Sequence, residues 1–273
     1  MSLLADVNPN SVRDRLWIWG NEANNQDAAW NLPGVSRMTA VEAAAYLGVP
    51  NVVMVSHRGL PAPPLDRHAI AMRPLKRVVW SIVHSGGVTS SEETQHIFDI
   101  AARFPNFTGF ILDDFFHRTE DGSWKASLTL DELRAVRERL QLSDRTLDLW
   151  AVHYTHQFDL PVEQHLALCD RINFWTSNAA ELPELEHNFA HLEQLYPDIP
   201  KIQGLYMWDF GEKQPMPVDM MQHQCELGLK WLQEGRIEGM LFIASCVADL
   251  ELDAVEWTRE WIAEVGDRPI QSM

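Results

Sequence analysis

The chain is expected to fold as an α/β protein, a single (β/α)8 TIM barrel spanning residues 1–273, on three observations. Eight short apolar runs alternate with longer helical patterns from end to end. The runs are continuously apolar, as strands of a parallel sheet covered on both faces must be, and helix start signals recur between them. At 273 residues with 46% hydrophobic content the chain can bury one large core, and α/β barrels of this length are commonly one domain.

Strands are expected at 16–19, 52–56, 78–83, 109–112, 147–152, 172–176, 204–208 and 240–244. Thr39 with Glu42, Ser90 with Glu93 and Thr129 with Glu132 each fit a capping box, in which a hydroxyl and a carboxylate satisfy the orphaned N–H groups of a first helical turn. Gly48 followed by Pro50 reads as a helix stop before strand two, and Gly235 as another before strand eight. The four prolines of segment 61–74 leave room for only a short or irregular second helix. The sequence carries no repeat or low-complexity linker, and the tail after Gly266 is expected to fray.

Acidic residues exceed basic ones by 39 to 22, a formal charge of −17. Such a surface repels phosphate backbones and anionic membranes, so a neutral or cationic small molecule or oligosaccharide is the expected partner, with no nucleic acid and no membrane. Cys169, Cys225 and Cys246 are odd in number and far apart, without a C-x-x-C pair, and read as reduced thiols of a cytoplasmic protein. Residues 1–10 lack a basic start followed by an apolar run, and no segment approaches ~18 unbroken apolar residues, so neither a signal peptide nor a membrane span is expected.

Gly109-Phe110-Ile111-Leu112-Asp113-Asp114 carries the strongest functional signal: an apolar strand running directly into two carboxylates. Packing needs the apolar residues but not the acids, whose charge must be paired, solvated or used. Barrel active sites are built where strands exit at their C-terminal ends, which makes Asp113 and Asp114 the first catalytic candidates. Because side chains alternate along a strand, only one of the two is expected to face the barrel axis. The long loops 21–37, with Trp30 in it, 115–127 and 211–217 leave strands one, four and seven on the same side and are expected to wall a pocket.

The same rim collects Trp19, Asn21 and Glu22 after strand one, His57 and Arg58 after strand two, His84 and Ser85 after strand three, and His153, Tyr154 and His156 after strand five. Strand six adds Trp175, Thr176 and Asn178, strand seven Trp208 and Asp209, and strand eight Ser245 and Cys246. Of these, Trp19, Asn21, His57, Arg58, His84, His153, Tyr154, Trp175, Asn178 and Trp208 are the candidate substrate contacts. Trp19, Trp175 and Trp208 are well placed to stack on the apolar face of a pyranose, whereas Trp231, Trp257 and Trp261 fall on helices as core residues.

Gly109-Phe110-Ile111-Leu112-Asp113 resembles the strand-four G-F-R-L-D element of α-amylase-type glycosidases, whose terminal Asp is the nucleophile. It is also similar to the strand-four region of chitinase-type barrels, where a D-G-x-D-x-D-x-E run ends in a catalytic Glu. The resemblance covers about five residues, with Ile111 at the amylase Arg position, Phe115 where the chitinase-type Glu falls, and His153 on strand five in place of an amylase-type acid. It implies a glycoside hydrolase without a cofactor and carries only Asp113 over, as nucleophile or base. Hydrolysis of a glycoside needs a second carboxyl, at ~5 to 5.5 Å for retention or ~6.5 to 9.5 Å for inversion. Asp209 and Glu22 are the candidates for that partner.

Two other readings come from the same rim. His57, His84, His153 and His156 with Asp113 and Glu22 form a mixed N/O set of the kind that binds Zn²⁺ or Mn²⁺ in a metal-dependent sugar isomerase or lyase, although no H-E-x-x-H or comparable motif accompanies it. A barrel that binds sugars without turning them over is the other. No nucleophile elbow, dinucleotide-binding G-x-G-x-x-G or Walker-type loop is present in the sequence.

Overall fold

The computed structural model describes residues 7–26, 30–176 and 178–270. The ends read above for a leader and a frayed tail therefore lie partly outside the described residues, as do 27–29 of the first long loop. Eight strands form the barrel: β1 (Leu16–Gly20), β2 (Asn51–Met54), β3 (Arg77–His84), β4 (Phe107–Leu112), β5 (Asp148–Tyr154), β6 (Arg171–Trp175), β7 (Lys201–Tyr206) and β8 (Gly239–Ile243). Each pairs in parallel with the next, and β8 returns to β1 with Trp17 opposite Leu241 and Trp19 opposite Ile243. Closure leaves no barrel strand with an unpaired edge.

The helices are α1 (Ala40–Leu47), α2 (Asp66–Ala71), α3 (Ser91–Arg103), α4 (Leu130–Gln141), α5 (Glu163–Leu166), α6 (Leu185–Leu195), α7 (Val218–Gln233) and α8 (Asp253–Val265). Thr39 and Thr129 close full capping boxes with Glu42 and Glu132. At α3 the box is only half formed. Ser90 Oγ accepts the Glu93 N–H at 3.2 Å, but the Glu93 carboxylate turns inward to accept Ser56 Oγ–H at 3.1 Å and lies 3.4 Å from His84 Nε2. Gly48 ends α1 in the left-handed region at φ 68°, as a glycine stop requires. The proline-rich segment yields the short α2, six residues long. The tail is tied down further than expected: Ile270 N–H donates to Asn10 O at 2.7 Å, and Pro269 bridges to Ser11.

Aromatic side chains fill the barrel in two levels. Near its N-terminal end Trp17 meets Trp150 of the opposite strand edge-on at 4.9 Å, with Arg77 over one indole and Arg171 over the other. Two residues further along the strands, Trp175 contacts Trp19 at 5.6 Å and Tyr206 at 5.0 Å. Gly204 makes this level possible, since a Cβ there would sit 2.1 Å from the Trp175 ring. This second level is the floor of the cavity at the barrel mouth.

Candidate active site at the barrel mouth

Strand β4 ends at Leu112, and the next two residues leave it in different ways. Asp113 continues the ladder for one more step, its N–H donating to Val83 O at 3.0 Å, and its side chain points inward. Asp114 then turns into the left-handed region at φ 42°, which breaks the alternation expected of a strand. Both carboxyls therefore reach the same cavity, rather than one facing the axis and one facing away.

Their environments differ sharply. Asp113 is 3% exposed, and among the described residues its carboxyl accepts one hydrogen bond, from the Asp114 N–H to Oδ1 at 2.9 Å. Burial, with the adjacent Asp114 adding to it, holds its carboxyl well above the usual carboxylate range, so Asp113 is suited to carry a proton. Asp114 is an acceptor on both oxygens: Oδ1 from the Tyr154 hydroxyl at 2.9 Å and Oδ2 from the Gly86 N–H at 2.7 Å. Burial, with the neighbouring Asp residues, also pushes the Tyr154 and Tyr206 hydroxyls upward, so both stay neutral donors.

Two adjoining hollows make up the cleft. The inner one, about 160 Å3, lies over the aromatic floor and is lined by Trp19, Asn21, Trp30, His57, Ser85, Asp113 and Asp114, with Ile243 and Ala244 of a cis peptide at the end of β8. The outer one, about 610 Å3, runs over the hairpin formed by Phe116–Arg118 and Trp124–Ala126. Asp114, Tyr154, Tyr206 and Phe210 line both and form the seam between them. All three long loops contribute walls: Gln26 and Trp30 from the first, Phe116, His117 and Arg118 from the second, and Gly211 from the third. His57 Nδ1 lies 3.0 Å from Ser85 Oγ, and burial, then the Arg58 charge, lowers its pKa so that a neutral imidazole faces the inner hollow.

Several sequence candidates lie elsewhere. Asp209 is fully buried, and its oxygens accept the Ala179 N–H at 3.2 Å and the Glu212 N–H at 3.0 Å, which fixes two loops. Glu22 pairs with His68 at 3.2 Å in a separate hollow of about 120 Å3 beside α2. Neither lines the cleft, so neither opposes the strand-four pair. Strand β7 stops at Tyr206, so Trp208 belongs to a small hairpin instead and donates its indole N–H to Trp30 O at 3.1 Å. Trp175 lies in the floor, its N–H on Asn173 Oδ1 at 2.7 Å. Asn178 caps the 3-10 turn that follows it, Arg58 is exposed, and His84 is buried between Ser81 and Glu93.

The proposed metal set is likewise dispersed. His153 is fully buried in the layer outside the barrel among Phe116, Phe158 and Tyr196, with Nδ1 3.1 Å from Gln157 Oε1 and its pKa lowered to about 4 by burial. His156 stacks on Tyr154 in the outer hollow, and His57 sits in the inner one. Among the described residues no group of three or more His, Cys, Asp or Glu side chains is arranged to hold a metal ion. The three cysteines are free and buried, and burial pushes the Cys246 thiol at the inner wall up to about 12.

No protein-family model matches the chain. No curated protein matches it either. Solved structures do. Active domain 2 of a thermostable chitinase from Pyrococcus furiosus superposes with a TM-score of 0.56 at 13% identity, over 93% of this chain and 96% of that one. A putative α-L-fucosidase from Bacteroides thetaiotaomicron gives 0.53 at 11% identity, over 92% and 97%. A xylanase and α-amylase inhibitor protein in complex with trehalose gives 0.54 at 12% identity, over 92% and 98%. The likeness is one of fold.

Residues missed from sequence are mostly those whose facing depends on distant partners. Tyr206 and Phe210 line both hollows, yet Tyr206 sits in an apolar strand and reads as core. Trp30 was visible as a lone aromatic in a long loop. No helix among the described residues is long and apolar enough to cross a membrane.

Proposed function

We propose that the chain is a glycoside hydrolase whose chemistry is carried by Asp113 and Asp114. One observation carries the reading: two consecutive carboxyls at the end of β4 enter one aromatic-floored hollow, the first buried with its pKa raised and the second in an acceptor's geometry. A buried carboxyl whose pKa is raised, beside one whose oxygens accept hydrogen bonds, suits an acid and a base role. Asp113 gives its proton to the glycosidic oxygen as the bond from that oxygen to the anomeric carbon breaks. Asp114 takes a proton from the attacking water, whose oxygen bonds to the same carbon, and the net reaction adds one water across the bond. Trp19 and Trp30 offer ring faces for the sugar, and His57, Asn21 and Tyr206 offer polar contacts to its hydroxyls.

A second reading, a sugar-binding barrel without turnover, is favoured by the absence of a carboxyl opposite the strand-four pair among the described cleft residues. One experiment separates the two. A panel of aryl glycosides is assayed with the native protein and with Asp113→Asn and Asp114→Asn, and sugar binding is followed in parallel by tryptophan fluorescence. Loss of turnover by roughly 10²- to 10⁴-fold with binding retained is the expected result. Binding without any turnover in the native protein leaves the second reading standing. Turnover abolished by a chelator and restored by Mn²⁺ or Zn²⁺ revives the metal enzyme.

A further inference from the structure

Among the described residues, the lining of the inner hollow combines carboxyls and aromatic rings with no lysine or arginine. Trp30 meets Phe210 edge-on at 5.8 Å, and Phe210 meets Tyr206 at 5.8 Å. Tyr206 leans on Trp175 at 5.0 Å, which in turn contacts Trp19 at 5.6 Å. The rings thus follow one another from the loop after β1, through the end of β7, to the barrel floor. Trp19, Trp30, Tyr154, Tyr206 and Phe210 all line the hollow. The face of such a ring carries the negative part of its quadrupole and attracts a cation within about 6 Å of the ring centre.

The two carboxyls lack the partner that acids elsewhere in this protein have. Asp14 is held by Lys76 at 2.6 Å and Asp148 by Arg171 at 2.6 Å. Among the described residues, Asp114 accepts only from neutral donors, the Tyr154 hydroxyl and the Gly86 N–H, and Asp113 only from the Asp114 N–H. Each Asp114 oxygen therefore keeps a lone pair for one more donor.

No other titratable group of the lining supplies positive charge. Burial, then the Arg58 charge, lowers the pKa of His57, and burial raises those of Tyr154, Tyr206 and Cys246. Arg58 and Lys213, on the surrounding loops, are exposed and line neither hollow, although Lys213 Nζ stands over the Trp30 ring at 5.9 Å. Arg118 lines the outer hollow and is paired with Asp159 at 2.6 Å. The formal charge of −17 adds a long-range attraction for cations.

We infer that the sugar taken into the inner hollow bears a free amine, whose ammonium group donates to Asp114 and rests against the aromatic rings. The inference rests on the hydrolase reading above and names its substrate class: a glycoside of an amino sugar. An N-acetyl group has no charge to offer Asp114. A sugar carboxylate would stand beside two carboxyls with no base in the lining to offset it.

The test uses the full chain. Methyl glycosides of amino sugars, of their N-acetyl forms and of the parent sugars are titrated while tryptophan fluorescence is followed, and the matching aryl glycosides are assayed for cleavage. The amino forms are expected to bind about 10- to 100-fold tighter than either counterpart and to be the ones cut. In a folded Asp114→Asn protein that preference in binding is expected to be lost. In the native protein it is expected to fade as pH rises through the ligand amine's own pKa, with the parent sugar as the control for titration of the protein. Parent or N-acetyl sugars that bind as tightly as amino sugars overturn the inference, and cleavage of their aryl glycosides then leaves hydrolysis intact. A preference that survives Asp114→Asn or deprotonation of the amine overturns it as well. Amino sugars bound with the expected preference, with no aryl glycoside cut, support the ammonium seat but sink the hydrolase reading. No saccharide bound or cut overturns both.

Discussion

The Tyr154 hydroxyl donates to Asp114 Oδ1 at 2.9 Å, linking the end of β5 to the residue that leaves β4 in the left-handed region. Burial, with Asp114 beside it, raises the pKa of that phenol above its usual value, and the hydroxyl is the donor in this bond. Together with the Gly86 N–H on Oδ2 it fixes Asp114 at the seam between the two hollows.

Replacing Tyr154 by Phe removes one charge-assisted hydrogen bond and leaves the ring in place. Such bonds are worth about 1.5 to 3 kcal/mol, or roughly 10- to 100-fold in rate if the carboxylate acts in the transition state. Steady-state kinetics are expected to show that loss mainly in kcat. A change confined to KM would make Tyr154 a binding contact only.

The raised pKa of Asp113 makes a prediction about stability and pH. The folded state holds the proton at pH values where the unfolded chain has released it, so stability falls as pH rises from the ordinary Asp range near ~3.9 toward the higher folded value. Asp113→Asn removes that dependence. Its melting temperature is expected to exceed that of the native protein at neutral pH, by roughly 2 °C for each kcal/mol recovered, and the difference is expected to shrink near pH 4. Equal pH dependence in the two proteins, measured by thermal denaturation, would contradict the buried, protonated Asp113.

Asp209 makes the opposite prediction. Its carboxylate satisfies the Ala179 and Glu212 N–H groups, and each buried donor left unpaired costs about 1 to 3 kcal/mol. Asp209→Ala is therefore expected to lower the melting temperature while activity per folded molecule is largely kept. Full stability with activity abolished would return Asp209 to the chemistry.

The eight strands were legible because each carries a short, mostly apolar run, and the first-turn caps at Thr39 and Thr129 because a capping box is complete within four residues. Ser90 shows the limit of such local reasoning: its partner Glu93 found Ser56 and His84 from neighbouring strands, which no spacing along the chain announces. Asp113 and Asp114 were identifiable as charges that packing does not require, but their convergence depends on the φ of 42° at Asp114.

By itself the sequence determined the barrel and the strand exit at which two acids accumulate, because periodicity, caps and strand boundaries are set by residues adjacent in the chain. Only the tertiary structure decided which rim residues face a common space. Asp209 and Glu22 occupy the same rim as the strand-four pair, yet backbone amides hold one and His68 holds the other. Tyr206 and Trp30 enter the cleft through contacts with residues far away in the chain. The direction of a side chain at a strand exit follows from local backbone handedness and from packing across the barrel, and both are fixed only once the sheet has closed.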